Sequence, residues 1–102
     1  TDYARSLKDF RSQYMDAVTR RTTVLFLGDA RNNNSDPASF VVREMYQRCK
    51  RLVWLNPEPR PFWGTGDSEM KRFLPYCHAA RECNTLDHLE RVIGSLLSAT
   101  RH

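Results

Sequence analysis

The sequence predicts an α/β fold: one three-layer domain over residues 1–102, with a parallel three-stranded sheet and a βαβαβ core flanked by N- and C-terminal helices. Two patterns carry this. Segments with apolar residues at three- and four-residue steps alternate along the chain with short apolar runs. Such alternation marks parallel strands joined by right-handed helical crossovers. The runs TTVLFL (22–27) and LVWL (52–55) are nearly continuous in apolar residues, which suits strands covered on both faces.

In residues 3–19, Leu7, Phe10, Tyr14 and Val18 recur on one helical face, and Arg20-Arg21 suit the negative end of the helix dipole. The first strand, 22–27, stops at Gly28. Asp36 and Pro37 read as a helix cap and first helical residue, with Ala38, Val41, Val42, Met45 and Cys49 as the apolar face to about residue 50. The second strand runs to Asn56-Pro57. The Pro- and Gly-rich loop EPRPFWGTG (58–66) leads to a short helix opened by Asp67 or Ser68 and stopped by Pro75. A third strand spans 79–83. The last helix, capped by Asn84 or Thr85, carries the stripe Leu86, Leu89, Val92, Ile93, Leu96 and Leu97. Gly94 costs that helix about 1 kcal/mol against Ala and is read as a point of close packing. The strand order should be one-two-three, with the two middle helices on one face and the first and last helices on the other.

Composition excludes several classes. Hydrophobic residues at 40% and charged residues at 27% are a globular balance. No apolar run approaches the roughly 20 residues of a membrane span, and no signal peptide is visible. The net charge of +4 is spread along the chain with no recognised motif or single basic stripe, so nucleic-acid binding is weakly signalled. Three cysteines, Cys49, Cys77 and Cys83, are an odd count that points to reduced thiols and a cytoplasmic location. Cys77, His78, Cys83 and His88 lack the close Cys pair of a zinc site and read as structural.

Ligands of an open parallel sheet sit beyond the C-terminal strand ends, where Asp29 and Asn56 fall. The cluster Asp29, Arg31, Asn32, Asn33 and Asn34 forms the crest. A carboxylate there can bind a hard cation such as Mg²⁺, although Gly-Asp and Asn runs are also ordinary turn chemistry.

The stretches LGDARNN, LVWLNPEP, WGTGDSEM and PYCHAARECNTLDHL, in this order, resemble the C-terminal half of the von Willebrand factor A (VWA) domains of CoxE-like proteins, from about Tyr3 to Leu97. The resemblance implies half of a Rossmann-like fold, strands four to six of six, and a metal-ion-dependent adhesion site. It also implies a non-enzymatic protein-interaction module that acts in metalloenzyme maturation, with a MoxR-type AAA+ ATPase or a client metalloenzyme as partner. Asp29 matches the third element of the adhesion site. The Asp-x-Ser-x-Ser element and the threonine element are not found, so Asp29 is one ligand of an incomplete site. Tight Mg²⁺ binding by this chain alone is not expected. The missing strands would leave 22–27 as an apolar edge, which predicts a homodimer, a swapped assembly, or cover from a longer polypeptide.

Arg31, Asn32, Asn33 and Asn34 are assigned to a partner-binding rim. Phe62 and Trp63 are assigned to a contact loop, with packing over the sheet end as the other reading, and Glu58, Arg60 and Asp67 to local ion pairs that fix the loop. An enzyme is the rival: G-D-x-x-N at residues 28–32 is similar to the magnesium-binding end of haloacid-dehalogenase-type phosphatases, but the nucleophilic Asp-x-Asp is absent. No catalytic residue is assigned.

Overall fold

A computed structural model describes residues 2–32 and 36–100. Helix α1 (Tyr3–Tyr14) and a 3₁₀ turn precede β1 (Thr23–Leu27); α2 (Ser39–Arg48), β2 (Arg51–Asn56), α3 (Met70–Phe73), β3 (Ala79–Glu82) and α4 (Leu86–Thr100) follow. The sheet is parallel in the order β1-β2-β3. Leu25 pairs with Val53, and Leu55 pairs with Arg81. The fold is the α/β, Rossmann-like layout read from the strand and helix alternation. Among the described residues β1 has β2 as its one neighbour, so its other edge is open, and Leu27 there is 69% exposed.

The core lies on one face of the sheet. Trp54 is fully buried, stacked between Phe26 (4.6 Å between ring centroids) and Phe73 (4.7 Å). Leu7, Val41, Val42, Met45, Leu52 and Met70 close around this stack. Helix α1 therefore packs on the same face as α2 and α3, not on the far face with α4. The reason is topological. Crossover handedness places a helix only between two parallel strands, and α1 precedes the first strand. Helix α4 lies over the opposite face, where its residues and those of β2 and β3 line a cleft of about 450 Å³.

Four local details differ from the pattern, one being that α3 starts at Met70 with Glu69, not Asp67 or Ser68, before it. Helix α1 ends at Tyr14 rather than Thr19, because Met15–Ala17 tighten into a 3₁₀ turn. Its three-residue period turns both Met15 and Val18 into the core and leaves Tyr14 57% exposed. Helix α2 starts at Ser39, not Pro37: Asp36 Oδ1 accepts the Ala38 N–H at 3.0 Å, and Ala38 sits at φ 56°. The aspartate thus makes a turn before the helix instead of capping it. A Cβ built on Gly94 would meet nothing within 4 Å, so close packing does not account for that glycine. Thr85 does cap α4, its Oγ1 accepting the His88 N–H at 3.1 Å.

Candidate functional site: the crest of the sheet

The polar cluster after β1 is built on one close approach. The Gly28 N–H still pairs with the Leu55 carbonyl (3.1 Å), and its own carbonyl accepts the Trp54 indole N–H (2.9 Å). A Cβ here would collide with the Tyr3 hydroxyl. Glycine therefore lets the first residue of α1 reach across the strand end. The Tyr3 hydroxyl accepts the Ala30 N–H at 3.0 Å and hydrogen-bonds the Asp29 side chain. Burial, and then the negative charge of Asp29, push the Tyr3 pKa up, so the phenol keeps its proton and remains a donor. The half-buried Asp29 carboxylate also accepts the Arg31 N–H at 2.9 Å.

Arg31 is the clamp of the crest. Its guanidinium holds Glu58 with two bonds (Nε–Oε2 2.8 Å and Nη2–Oε1 2.9 Å), Asp67 Oδ1 at 2.9 Å and the Thr65 carbonyl at 3.0 Å. These side-chain bonds and the two carboxylate charges hold the guanidinium firmly protonated. The backbone follows: Asn32 N–H bonds Asp67 O (3.2 Å) and Glu69 N–H bonds Ala30 O (2.7 Å). Loop 58–69 is thereby tied along residues 30–32. Glu58 and Asp67 do fix the loop by ion pairs, but their partner is Arg31 across the crest, not a neighbour within the loop.

The family model for "VWA domain containing CoxE-like protein" matches residues 1–92. The chain belongs to this family. No curated protein and no solved structure gives a significant match to it. Membership makes this a VWA-type protein module, and its candidate site residues divide as follows.

Asn32 does not sit on the rim. It is 2% exposed, and its Oδ1 accepts the Tyr3 N–H at 2.9 Å, satisfying a donor of the first turn of α1. The sequence showed an Asn in a turn but not the distant backbone donor it serves. Asn33 and Asn34 lie outside the described residues. Asn56 is fully buried: its Oδ1 accepts the Glu58 N–H (2.9 Å), and its amide reaches the Asp29 carbonyl (3.4 Å). Trp63, assigned with Phe62 to a contact loop, is 6% exposed. Its indole N–H bonds the Glu58 carbonyl at 2.8 Å, and the Arg60 guanidinium lies 4.4 Å over its ring. Packing wins at Trp63 because Arg60 in turn donates to the Ala80 carbonyl, fastening the loop to β3. Phe62 remains outside, 55% exposed.

A hard cation is held by oxygen ligands; Mg²⁺ is octahedral and keeps several waters beside one or two carboxylates. Among the described residues no group of three or more His, Cys, Asp or Glu side chains is placed to hold a metal. Asp29 offers one carboxylate at the crest, while Glu58 and Asp67 are held by Arg31. Among the described residues, no helix is long and apolar enough to cross a membrane.

Proposed function

We propose that this CoxE-like VWA chain is a non-enzymatic docking module that binds a protein partner across the crest of its sheet. The partner is a MoxR-type AAA+ ATPase or a client metalloenzyme, and the setting is metalloenzyme maturation in the cytoplasm. In this reading residues 1–102 are part of a larger VWA domain. Asp29 is the ligand this chain contributes to a Mg²⁺ site whose other oxygens come from outside these residues. When bound, the ion would present positive charge to an acidic group of the partner.

The observation that carries the reading is the Arg31 clamp. It spends three crest groups on holding loop 58–69 in one conformation, and that loop exposes Phe62 instead of burying it. A preorganised loop with an exposed aromatic is the arrangement that supplies binding energy at low entropic cost. Surface plasmon resonance against a MoxR-type ATPase tests it. The Phe62→Ala variant should weaken binding by about tenfold with little change in melting temperature, and Asp29→Ala should do so by about tenfold in the larger VWA domain with Mg²⁺ present. Absence of binding, or binding unmoved by both substitutions, would overturn the proposal. Mg²⁺ titrated into the chain by calorimetry should give no saturation below about 1 mM; micromolar affinity would show that the site is complete without further ligands.

A further inference from the structure

The cleft between the sheet and α4 lies on the face opposite the core, and its lining is unusual. Its floor is the outward row of the sheet: Arg51 and Val53 from β2, Ala79 and Arg81 from β3. Its roof is one stripe of α4, on which His88, Arg91, Val92, Ser95 and Leu96 recur at three- and four-residue steps. Three guanidiniums thus border the cleft against one lining carboxylate, Glu82. The volume of about 450 Å³ falls within the roughly 300–1,000 Å³ of small-molecule sites.

The two ends of the cleft differ. Leu55 pairs with Arg81, so Arg51 and Arg81 are separated by about 13 Å along the strands. A helix that follows a parallel strand runs back antiparallel to it, so of the α4 residues that line the cleft the N-terminal His88 and Arg91 belong to the Arg81 end, and Ser95 and Leu96 to the Arg51 end. At the Arg81 end the positive charge is offset: Asp87 holds Arg91 at 2.7 Å, and Glu82 lies next to Arg81 in the strand. At the other end, Arg51 is half-buried and makes no ion pair among the described residues. His78 lines the cleft there, and its Nδ1 accepts the Leu52 N–H at 2.9 Å, which leaves Nε2 as the ring's donor. The apolar surface of Ala79 and Val92 fills the middle, above the buried Val53.

We infer that this cleft binds a small amphiphilic oxyanion, a molecule with one phosphate or carboxylate group on a flat apolar body. The anion lies at Arg51, His78 and Ser95; the body lies between Ala79 and Val92. Arg51 supplies a two-pronged, charge-assisted contact, and partial burial strengthens it relative to a guanidinium in open water. The site is separate from the crest and does not rest on the docking proposal.

The test is fluorescence titration of the protein with 1-naphthyl phosphate, 1-naphthoate and 1-naphthol, and calorimetry with inorganic phosphate. Either naphthyl anion should saturate the protein and bind at least about tenfold more tightly than 1-naphthol or inorganic phosphate; which of the two is tighter separates a phosphate from a carboxylate ligand. Arg51→Gln should weaken the tighter anion by about tenfold, Val92→Trp should abolish its binding by filling the cleft, and Arg43→Gln on α2 should leave it unchanged. Melting curves check that Arg51→Gln and Val92→Trp remain folded. Equal affinity for all four probes, equal losses in Arg51→Gln and Arg43→Gln, or unaltered binding in Val92→Trp would overturn the assignment.

Discussion

Trp63 and Phe62 are adjacent in sequence and opposite in fate, which makes them a sharp test of how the loop is built. Trp63 is 6% exposed, with its indole N–H on the Glu58 carbonyl and Arg60 over its ring. Truncating a buried Trp to Ala costs about 3–5 kcal/mol. The Glu58 carbonyl loses its donor, for about 1 kcal/mol more, and the cation–π contact adds about 0.5–1 kcal/mol. Shared contacts make these overlap, so Trp63→Ala should lose about 4–5 kcal/mol, comparable to the whole stability of a small domain. Phe62 is 55% exposed and its truncation should cost less than about 1 kcal/mol. Urea denaturation reads both. With a slope of about 1.5 kcal/mol per molar, the Trp63→Ala midpoint should fall by about 3 M or the variant should be unfolded in water, and Phe62→Ala should stay within about 0.7 M of the parent. A Trp63→Ala loss below about 1 kcal/mol, or a Phe62→Ala loss equal to it, would refute the claim that the loop is anchored through the indole.

Gly94 has open space around its missing Cβ, so Gly94→Ala should stabilise the protein by about 1 kcal/mol, read as a rise of about 4–8 °C in Tm; no rise would mean that the glycine answers a constraint outside these contacts. Arg31→Lys keeps the charge but loses the fork that holds Glu58 and Asp67 together; hydrogen exchange should accelerate at the Asn32 and Glu69 amides, which close the loop, and unchanged protection there would count against the clamp. Burial pushes the Cys77 thiol up to about 12. A raised acid favours its neutral form in the folded state, so this contribution is complete below the unfolded value near pH 9 and is lost as pH rises toward about 12, at about 1.4 kcal/mol per pH unit. In alkaline urea titrations Cys77→Ala should therefore show a shallower loss than the parent between pH 9 and 11; parallel curves would rule out a buried thiol.

The sheet was legible because its signal is local and repeated. Residues 52–55 declare two-sided burial and have it; residues 22–27 declare a strand but not its cover, since β1 is only half-buried and Leu27 is exposed; the crossover rule then orders the strands. The side of the sheet taken by α1 was not legible, since no rule of handedness reaches a helix outside a βαβ unit. At the crest, residue types were readable and destinations were not. Asp29 and Asn56 were recognisable at strand ends. Asn32, however, bonds the Tyr3 backbone 29 residues away, and Arg31 closes on Glu58 and Asp67 at separations of 27 and 36. Such pairings exist only once the strands are in register. The same holds on the far face: Arg51 and Arg81 belong to separate strands, and the pairing of β2 with β3 puts both on the floor of one cleft.

This redistributes what a dense polar cluster means. An apolar strand ending in Gly-Asp-Ala-Arg-Asn suggests a surface waiting for a ligand, yet most of these groups face other parts of the same chain. Tyr3 takes Ala30 and Asp29, Arg31 takes the acidic loop, and Asn32 takes the start of α1. Leaving buried donors and acceptors unmatched costs about 1–3 kcal/mol each, so a strand end crossed by both a helix start and a long loop requires a partner for every polar group it buries. The described residues meet that demand: no buried side-chain nitrogen or oxygen lacks one. On the docking reading proposed above, recognition at this end would rest on what the internal bonding of the described residues leaves exposed, chiefly Phe62 and the accessible part of Asp29. In that reading the crest is a rigid mount for a small contact surface, and polarity alone is a poor guide to where that surface lies.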